Sequence, residues 1–416
     1  MRGTRNMPDI KFLQDDNEFI LYVMETKKVY LEPAWKLHMG YHVRQLIPFP
    51  PDGYEFVTRN GLDERLSNRA SGYRLTQSAV SQLYIRLPVP LMKARWDSLT
   101  KKPPVDTFLT FASNHLVFRK EPWVVDIGRI WEVIGFNLKH FRRYQRIVEE
   151  AFASDNCKGV LCWTEFSKNT CLSALDSRSF AHKIDAIPLA VAPRNFTKKF
   201  DDDKVRLFFI GSANLAGQFE LRGGKEVLEA FDILSSRYKN IELVVRSDIS
   251  PSIKKRYQKQ LSNPRVTVFD GFLPWQDVEK IYQTSDIFFF PCHYESWQIT
   301  LEAMSYEMPV ISVDLEGVSE FVREGETGFL VEESARVPRI QDGLPVSQTN
   351  PQVLRALSTT EPRLVNDLVE RASLLIENRE LRRKMGAAGR WRVEHGKNSI
   401  ACRNAKLKQV FDKAMN

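Results

Sequence analysis

The sequence predicts an α/β protein built from two Rossmann-like domains that face each other across a cleft. Three observations carry this prediction: a length of 416 residues, apolar segments that alternate with helical patterns in the second half, and a less regular repeat of that alternation in the first half. Because a domain averages about 150 residues, a chain of this length exceeds one core. We place the boundary near Pro193, so that residues 1–193 form the first domain and residues 194–398 the second.

The second half has the clearer alternation. Short apolar, β-branched or aromatic segments predict five strands, at Val205–Ile210, 241–245, Val266–Phe269, 286–290 and Val310–Val313. Helical patterns follow them at 224–238, 252–261, Trp275–Thr284, 299–306 and 318–323. Nearly continuous apolar strands joined by helices are typical of a parallel sheet that is covered on both faces.

The first half is less regular. Its predicted strands are 19–24, 43–47, 106–111, 122–126, 159–163 and 187–193, and its predicted helices are 136–152 and 167–175. Residues 50–104 carry prolines and show no clear periodicity. Two such domains create a cleft at the carboxyl ends of both sheets, where ligands of open parallel sheets bind.

Composition excludes several classes of protein. With 43% apolar and 27% charged residues, the chain is typical of soluble globular proteins, and its apolar segments are far shorter than the roughly 20 residues of a membrane helix. The N-terminal residues contain no apolar signal core, so we expect a cytoplasmic location. The five cysteines have no metal-ligand spacing.

The net charge of +8 lies almost entirely in the first half, where residues 1–195 hold 28 Lys and Arg against 21 Asp and Glu. A basic and aromatic segment at 139–146 is its densest part. Without any nucleic-acid-binding motif we expect no nucleic acid partner. The charge instead favours an anionic or membrane-anchored substrate, and peripheral association with an anionic membrane surface.

An anion site is predicted after the first strand of the second domain. Gly211 and Ser212 follow that strand, and Arg222 and Lys225 bracket a glycine pair at the start of the next helix. Glycines allow close approach of the backbone, a helix N-terminus offers N–H donors, and both cations suit phosphate. The spacing matches neither a P-loop nor GxGxxG.

Two carboxylates, Glu295 and Glu302, follow the strand predicted at 286–290. A helix dipole alone favours an acid in the first turn by about 0.3 to 1 kcal/mol, so a capping role for Glu302 is one reading. The other is that acids at the same cleft edge as a phosphate site hold hydroxyl groups of the same ligand. The residues themselves leave both readings open.

The segments 286–305, 309–314 and 317–331, together with Gly211, Arg222 and the glycine pair after it, resemble the C-terminal domain of family 4 retaining glycosyltransferases of the GT-B fold. The resemblance covers about half of the chain. It implies that the helix at 399–416 returns to the first domain, and that the substrate is a nucleotide diphosphate sugar, with no cofactor and no metal ion. We accordingly interpret Asp201–Asp203 as a polar linker and not as a metal site.

The resemblance also implies roles for single residues. Glu295 would contact hydroxyls of the donor sugar, and Glu302 would hold the ribose. The backbone between them, at Ser296, Trp297, Gln298, Ile299 and Thr300, would approach the sugar and phosphates. Arg222 and Lys225 would stabilise the departing diphosphate.

Three departures from the family pattern stand out. Arg222 replaces the usual lysine, Ser212 stands where an arginine often follows the glycine, and Glu295 and Glu302 are seven positions apart instead of eight. In the first domain the glycine pair after the first strand is missing. Where the family has a histidine after a later strand, this chain has Asp126 and Arg129, and the nearest histidine is His115. We expect all three to line the acceptor side, with Asp126 among the catalytic residues.

The resulting prediction is a metal-independent, retaining glycosyltransferase that moves a sugar from a nucleotide diphosphate sugar to a hydroxyl of a glycan or lipid-linked acceptor. Two alternatives stay open. The shortened loop between Glu295 and Glu302 is also compatible with a sugar-binding or partner-binding protein without catalysis. A nucleotide-sugar epimerase is the second alternative on the same fold.

Overall fold

The computed structural model describes the following residues: 10–15, 18–23, 26–32, 43, 45–58, 87–135, 138–200, 203–212, 218–271, 273–294, 297–341, 343–346 and 350–415. Two six-stranded parallel sheets form its centre, one in each half of the chain. Residues 187–204 join them. Among the helices in these residues, none has both the length and the apolar character needed to cross a lipid bilayer.

Within the described ranges, the first half contains eight strands: β1 Ile10–Asp15, β2 Glu18–Val23, β3 Lys27–Glu32, β4 Tyr54–Val57, β5 Thr107–Ser113, β6 Trp123–Ile127, β7 Cys157–Cys162 and β8 Ile184–Ala186. Strands β1 and β2 form a separate antiparallel hairpin, and the others form a parallel sheet in the order β4-β3-β5-β6-β7-β8. The helices that accompany them in these ranges are α1 Val89–Thr100, α2 Leu138–Ala153 and α3 Glu165–Ala174. A 3-10 helix, Ile130–Ile134, packs between α1 and α2.

The strand predicted at 19–24 is confirmed as β2, but it lies in the antiparallel hairpin, and the parallel sheet begins at β3, whose Val29 and Leu31 are buried against β5. Two strand predictions in this half, 43–47 and 187–193, are wrong. Residues 187–193 form no strand, because the last strand of the sheet is the short β8 that precedes them. Residues 45–48 form a turn in which the amide of Leu46 donates to the carbonyl of Val43. Val43 and Leu46 are buried, so their apolar character reflects packing and not a strand.

The second half continues with the following strands: β9 Val205–Ile210, β10 Ile241–Arg246, β11 Val266–Phe269, β12 Ile287–Phe290, β13 Val310–Val313, β14 Gly328–Val331, β15 Ile340–Gln341 and β16 Leu344–Pro345. The sheet order is β11-β10-β9-β12-β13-β14, and β15 and β16 form a small hairpin. All five predicted strands are confirmed, three of them with the predicted bounds. The central strands β12 and β13 are fully buried, as expected for a sheet covered on both faces.

The helices of the second half are α4 Gln218–Leu221, α5 Gly224–Arg237, α6 Pro251–Arg256, α7 Gln258–Leu261, α8 Trp275–Thr284, α9 Trp297–Ser305, α10 Pro351–Ala356, α11 Pro362–Glu377, α12 Arg379–Glu394 and α13 Ile400–Met415. Helix α5 shows why they form where they do. Val227, Phe231 and Leu234 recur at helical spacing and are buried against the sheet, and Arg237 in the last turn complements the helix dipole.

Helix α13 packs on the first sheet. Leu407 and Phe411 are buried in the same cluster as Val29 and Phe111, and the ring of Phe411 meets that of Phe111 edge to face at 6.3 Å. Burial of a side chain such as Phe411 contributes about 3 kcal/mol. The core of the first domain is thus completed by a helix that follows the second domain in the chain.

Candidate functional site

The carboxyl ends of β9, β10 and β12 bring the predicted anion-binding residues to one edge of the second sheet. Gly211 follows β9, and its amide donates to the carbonyl of Arg246 at 2.9 Å. A Cβ atom at Gly211 would lie 2.0 Å from Oγ of Ser247, so only glycine permits this approach. The amide of Asp248 donates to the carbonyl of Ser212 at 3.0 Å. Gly211 and Ser212 therefore lie beside the loop that follows β10.

The N-terminus of α5 meets the same edge. Gly223 caps the helix with φ of +81°, and a Cβ atom there would lie 2.1 Å from the carbonyl oxygen of Pro291. The glycine pair thus lets the helix start against the end of β12. The first N–H groups of a helix lack intrahelical partners and favour an anion.

Arg222 directly precedes this cap. Its guanidinium lies over the ring of Phe290, 5.7 Å from the ring centroid, and its Nε is shielded from solvent without a hydrogen-bond acceptor in the described part of the chain. No carboxylate of that part forms an ion pair with it. Arg222 therefore brings a positive charge to the edge where the sequence predicts phosphate binding.

Lys225 has a different environment from the one predicted. Its side chain is buried in the first turn of α5, and its ammonium donates to the carbonyl of Leu357. Burial lowers the pKa of Lys225. Its ammonium therefore holds α5 against the turn after α10.

Helix α9 carries most of the predicted donor-binding segment. Glu295 and Ser296 lie outside the described residues, and α9 begins at Trp297. The indole of Trp297 is buried, donates to the carbonyl of Glu316 at 2.8 Å, and meets Trp163 of the first domain edge to face at 6.2 Å. Trp297 thus packs at the contact between the two domains.

The next residues of α9 differ in exposure. Ile299 is half-buried and packs on the core of the second domain, and Thr300 is fully buried. Both amide atoms of Gln298 are shielded from solvent, yet neither has a hydrogen-bond partner among the described residues. A shielded amide without partners costs about 1 to 3 kcal/mol, which a bound polar ligand would offset.

Glu302 is buried and is held by a residue that the sequence did not single out. Its Oε1 accepts a hydrogen bond from Arg194 of the interdomain segment at 3.2 Å, and Nε of Arg194 also lies 3.3 Å from Oγ of Ser305. Burial raises the pKa of Glu302 to about 7, although Arg194 opposes the shift. The carboxyl group therefore titrates near neutral pH while no ligand is bound.

Arg129 crosses the cleft from the first domain. Its Nε donates to Oε2 of Glu316 at 3.0 Å, and a second bond joins the same two groups. Its guanidinium stacks on the ring of Tyr294, 3.6 Å from the centroid. The predicted acceptor-side arginine therefore touches the residue immediately before Glu295.

A second contact closes the cleft a few residues further along. The carboxylate of Glu320 accepts hydrogen bonds from the amides of Glu165 and Phe166 at 3.0 and 2.9 Å, which caps helix α3 of the other domain. Gly317 lies against Phe166, and a Cβ atom there would be 2.8 Å from that side chain. The segment after β13 thus binds the N-terminus of α3.

The two remaining predicted residues lie deeper in the first domain. Asp126 is buried at the end of β6 and lines a small cavity with Trp163 and Arg403, beneath α13. Within the described ranges, one group of potential metal ligands converges: Glu32, Asp97 and His115, whose ligand atoms lie within 4.8 Å of one another.

This group already contains its own cations. Glu32 is bound by Arg119, and Asp97 by Lys93 and Lys101. Burial lowers the pKa of His115 to about 4 against the influence of Glu32 and Asp97. His115 is therefore neutral at pH 7, and the paired carboxylates make the group a structural network and a poor cation site.

A buried triad that the sequence did not reveal supports the loop before Glu295. Nδ1 of His293 lies 2.9 Å from Oε1 of Glu333, and its Nε2 lies 3.6 Å from Oε2 of Glu226 in the first turn of α5. Burial by itself would lower the pKa of His293, but Glu333 and Glu226 together raise it to about 10. The three residues are far apart in sequence, and only the fold assembles them.

Comparison with known proteins agrees with this architecture. Residues 196–344 match the family model described as glycosyl transferases group 1. A 115-residue stretch is 31% identical to the capsular polysaccharide biosynthesis glycosyltransferase CapM of Staphylococcus aureus, covering 27% of this chain and 30% of CapM. The chain thus spans less than a third of that curated relative.

Solved structures match nearly the whole chain. A glycosyltransferase from Rickettsia africae ESF-5 superposes with a TM-score of 0.57 at 15% identity, over 94% of this chain and 99% of that one. Anabaena Alr3699/HepE, solved in complex with UDP and glucose, superposes with a TM-score of 0.53 at 12% identity, over 93% of this chain and 99% of that one. At such identities the likeness establishes the fold. The chain therefore has the GT-B fold, and its residues 196–344, less than half of its length, are similar to the glycosyl transferases group 1 family.

Proposed function

We propose that this protein is a retaining glycosyltransferase that moves a sugar from a nucleotide diphosphate sugar to a hydroxyl group, without a metal ion. The observation that carries the proposal is the edge of the second sheet, where Arg222, which forms no ion pair with a described carboxylate, lies beside the N-terminus of α5. In such a transfer the bond between the sugar and the diphosphate breaks, and negative charge grows on the departing oxygen. Fixed cations and helix N–H groups stabilise that charge.

The donor is a nucleotide sugar in this proposal for two further reasons. The solved neighbour from Anabaena binds UDP and glucose, and CapM is named as a glycosyltransferase. In this chain the amide of Gln298 is shielded and unsatisfied among the described residues, and it lies one turn from Glu302 on α9. We assign Gln298 to the sugar or phosphate, Glu302 to the ribose and Glu295 to the sugar hydroxyls.

The acceptor is a glycan or a lipid-linked sugar in this proposal, reached at an anionic membrane surface. Helix α1 exposes Met92, Trp96 and Leu99, with 56, 66 and 84% of their surface accessible, at spacings that put them on one helical face. The exposed Arg142, Arg143 and Arg146 lie on α2, and both helices pack on the 3-10 helix Ile130–Ile134. An apolar face beside basic residues fits an anionic lipid interface.

The donor experiment measures release of nucleoside diphosphate from UDP-, GDP-, ADP- and dTDP-sugars, with and without a panel of glycan and lipid-linked acceptors. We expect acceptor-dependent release from one donor, an unchanged rate in EDTA, and a product with the anomeric configuration of the donor by NMR. Glu295→Ala and Arg222→Ala should each lower the rate of release by about 100-fold or more. Donor binding without release from any pair would support the non-catalytic alternative, and an altered nucleotide sugar formed without acceptor would support an epimerase.

The membrane experiment uses co-sedimentation with vesicles of phosphatidylcholine alone or with 30% phosphatidylglycerol. We expect binding only to the anionic vesicles, weakening as salt increases, and at least a tenfold loss in Trp96→Ser/Leu99→Ser. The matched control is Leu374→Ser, an exposed leucine of α11 in the second domain. Binding that ignores lipid charge, or that the double substitution leaves unchanged, would contradict this surface.

A further inference from the structure

Arg246 lies at the predicted phosphate edge without having been assigned a role. It is the last residue of β10 and pairs in register with Ile210 of β9. Its carbonyl accepts the hydrogen bond from Gly211 described above, at 2.9 Å. The side chain therefore starts at the carboxyl edge of the sheet, one strand away from the glycine that opens the anion site.

The charge of Arg246 is not neutralised by the protein. Its Nε is shielded from solvent and finds no acceptor within the described residues, and no described carboxylate forms an ion pair with it. The hydroxyl of Tyr282, whose electrostatic influence reaches Arg246, is also buried and lacks a partner there. Buried polar atoms of native proteins are almost always satisfied, so this combination calls for a ligand.

Arg246 and Arg222 lie within electrostatic reach of each other. Burial lowers the pKa of Arg246, and Arg222 lowers it further. Two guanidinium groups that repel each other in a half-buried position raise the free energy of the empty site. An anion placed between them would remove this repulsion, and a diphosphate carries the charge and the oxygen geometry that two guanidinium groups bind as forks.

We propose that Arg246 is the second diphosphate-binding cation of the donor site and acts together with Arg222. The inference rests on the proposed function and deepens it. It also accounts for the position of Lys225, whose ammonium is held by the carbonyl of Leu357. A cation contributed by the neighbouring strand compensates for the one that is engaged there.

The test measures binding of nucleoside diphosphates and monophosphates by calorimetry. The wild-type protein is first titrated with UDP, GDP, ADP and dTDP, and the best of them is then compared with its monophosphate in each variant. Arg246→Gln should weaken diphosphate binding about tenfold or more, with a change of less than threefold for the monophosphate. Arg246→Lys, which retains the charge without the fork, should recover part of the loss.

Arg237→Gln is the matched control, because it removes the same charge from the exposed last turn of α5, about 20 Å along that helix from the phosphate edge. It should leave both affinities unchanged. A purely structural role of Arg246 would lower the melting temperature and weaken both nucleotides equally, which would overturn the inference.

Two outcomes separate this inference from the function on which it rests. If the wild-type protein binds none of the four nucleoside diphosphates, the proposed function fails, and the inference fails with it. If the wild-type protein binds one of them and Arg246→Gln retains the same ratio of diphosphate to monophosphate affinity, only the role of Arg246 is overturned.

Discussion

The carboxyl edges of the two sheets differ in how their charges are neutralised. At the first edge Glu32 is bound by Arg119, and Asp97 by two lysines. At the second edge Arg222 and Arg246 have no carboxylate partner among the described residues. Both edges occupy the same position in similar sheets, so the fold alone does not explain the difference. A charge that is paired within the protein contributes to packing, whereas a cation without a carboxylate partner at a cleft favours an anionic ligand.

Two buried histidines repeat this contrast. His115 and His293 each follow a strand of their sheet and are each 5% exposed. Burial dominates at His115, whose pKa falls to about 4, whereas two carboxylates dominate at His293, whose pKa rises to about 10. The same residue type is thus neutral at one edge and charged at the other.

The largest effect is expected on the reaction rate, from a substitution at the second edge. Arg222→Ala should lower the rate of sugar transfer by about 100- to 1,000-fold, because removal of one preorganised donor to a developing negative charge costs about that much. Rates of nucleotide release at saturating donor check this. Arg119→Ala, at the first edge, should lower thermal stability and leave the turnover of the folded fraction unchanged, and equal losses of turnover would contradict the distinction between the edges.

A smaller effect is expected where the two edges meet. Glu316→Ala removes the hydrogen-bonded carboxylate of the buried Arg129 and leaves Glu132, 3.8 Å away, as an ion-pair partner, so we expect a loss of about 2 to 3 kcal/mol in the free energy of unfolding, measured with urea. Glu316→Gln retains a hydrogen-bond acceptor, so its free energy of unfolding should lie between those of the wild type and Glu316→Ala. Glu370→Ala, at an exposed position of α11, serves as the control, and a loss as large there would show that the cleft contact has no special weight.

The charge states of the two histidines can be distinguished by the pH dependence of the free energy of unfolding. The folded pKa of His293 lies above its ordinary value of 6.5, so its stabilisation is fully present below pH 6.5 and is lost as pH rises towards 10. The difference in free energy of unfolding between wild type and His293→Gln should therefore shrink by about 1 kcal/mol or more between pH 6 and pH 8.

His115→Gln should change the pH dependence of stability in the opposite direction. Because the folded pKa of His115 is lowered, the residue costs stability as pH falls from 6.5 towards 4, and the substitution should make the protein less sensitive to acid. Urea unfolding at pH 5 and pH 7 checks this. Parallel pH profiles for the two variants would contradict the assignment of opposite charge states.

The smallest effect concerns Gln298. Replacing it by Leu removes a shielded amide that lacks partners among the described residues, so we expect the free energy of unfolding to stay the same or to rise by about 1 kcal/mol. Donor affinity should nevertheless fall, by about tenfold, in calorimetric titrations. A variant that is destabilised and binds the donor normally would make the amide a structural group.

The second domain was predictable from sequence because its strands are buried on both faces and its glycines are required by close contacts. Segments such as Val205–Ile210 are almost wholly apolar, and Gly211 and Gly223 each fill a place where a side chain would collide with a neighbouring loop. Both the apolar strands and the glycines can be recognised in the sequence, so the position of the predicted anion-binding edge could be proposed without the tertiary structure.

Parts of the first domain and of the site were not predictable, because the residues that form them matter through contacts with residues distant in sequence. Strand β3 begins with Lys27 and Lys28 and ends with Glu32, which hides a buried centre, and the segment 43–47 is apolar because it packs as a turn. Arg246, Glu333 and Arg194 matter only through contacts with residues distant in sequence. No periodicity or spacing reports such contacts.

Helix α13 has a consequence for biosynthesis. Phe411 completes the core around Phe56 and Phe111, but it follows the strands of that sheet by more than two hundred residues. At about 5 to 20 residues per second, a ribosome needs roughly 10 to 40 s to cover that distance. During this interval the apolar face awaiting α13 is exposed, so the nascent first domain offers a binding surface to a chaperone until the helix emerges.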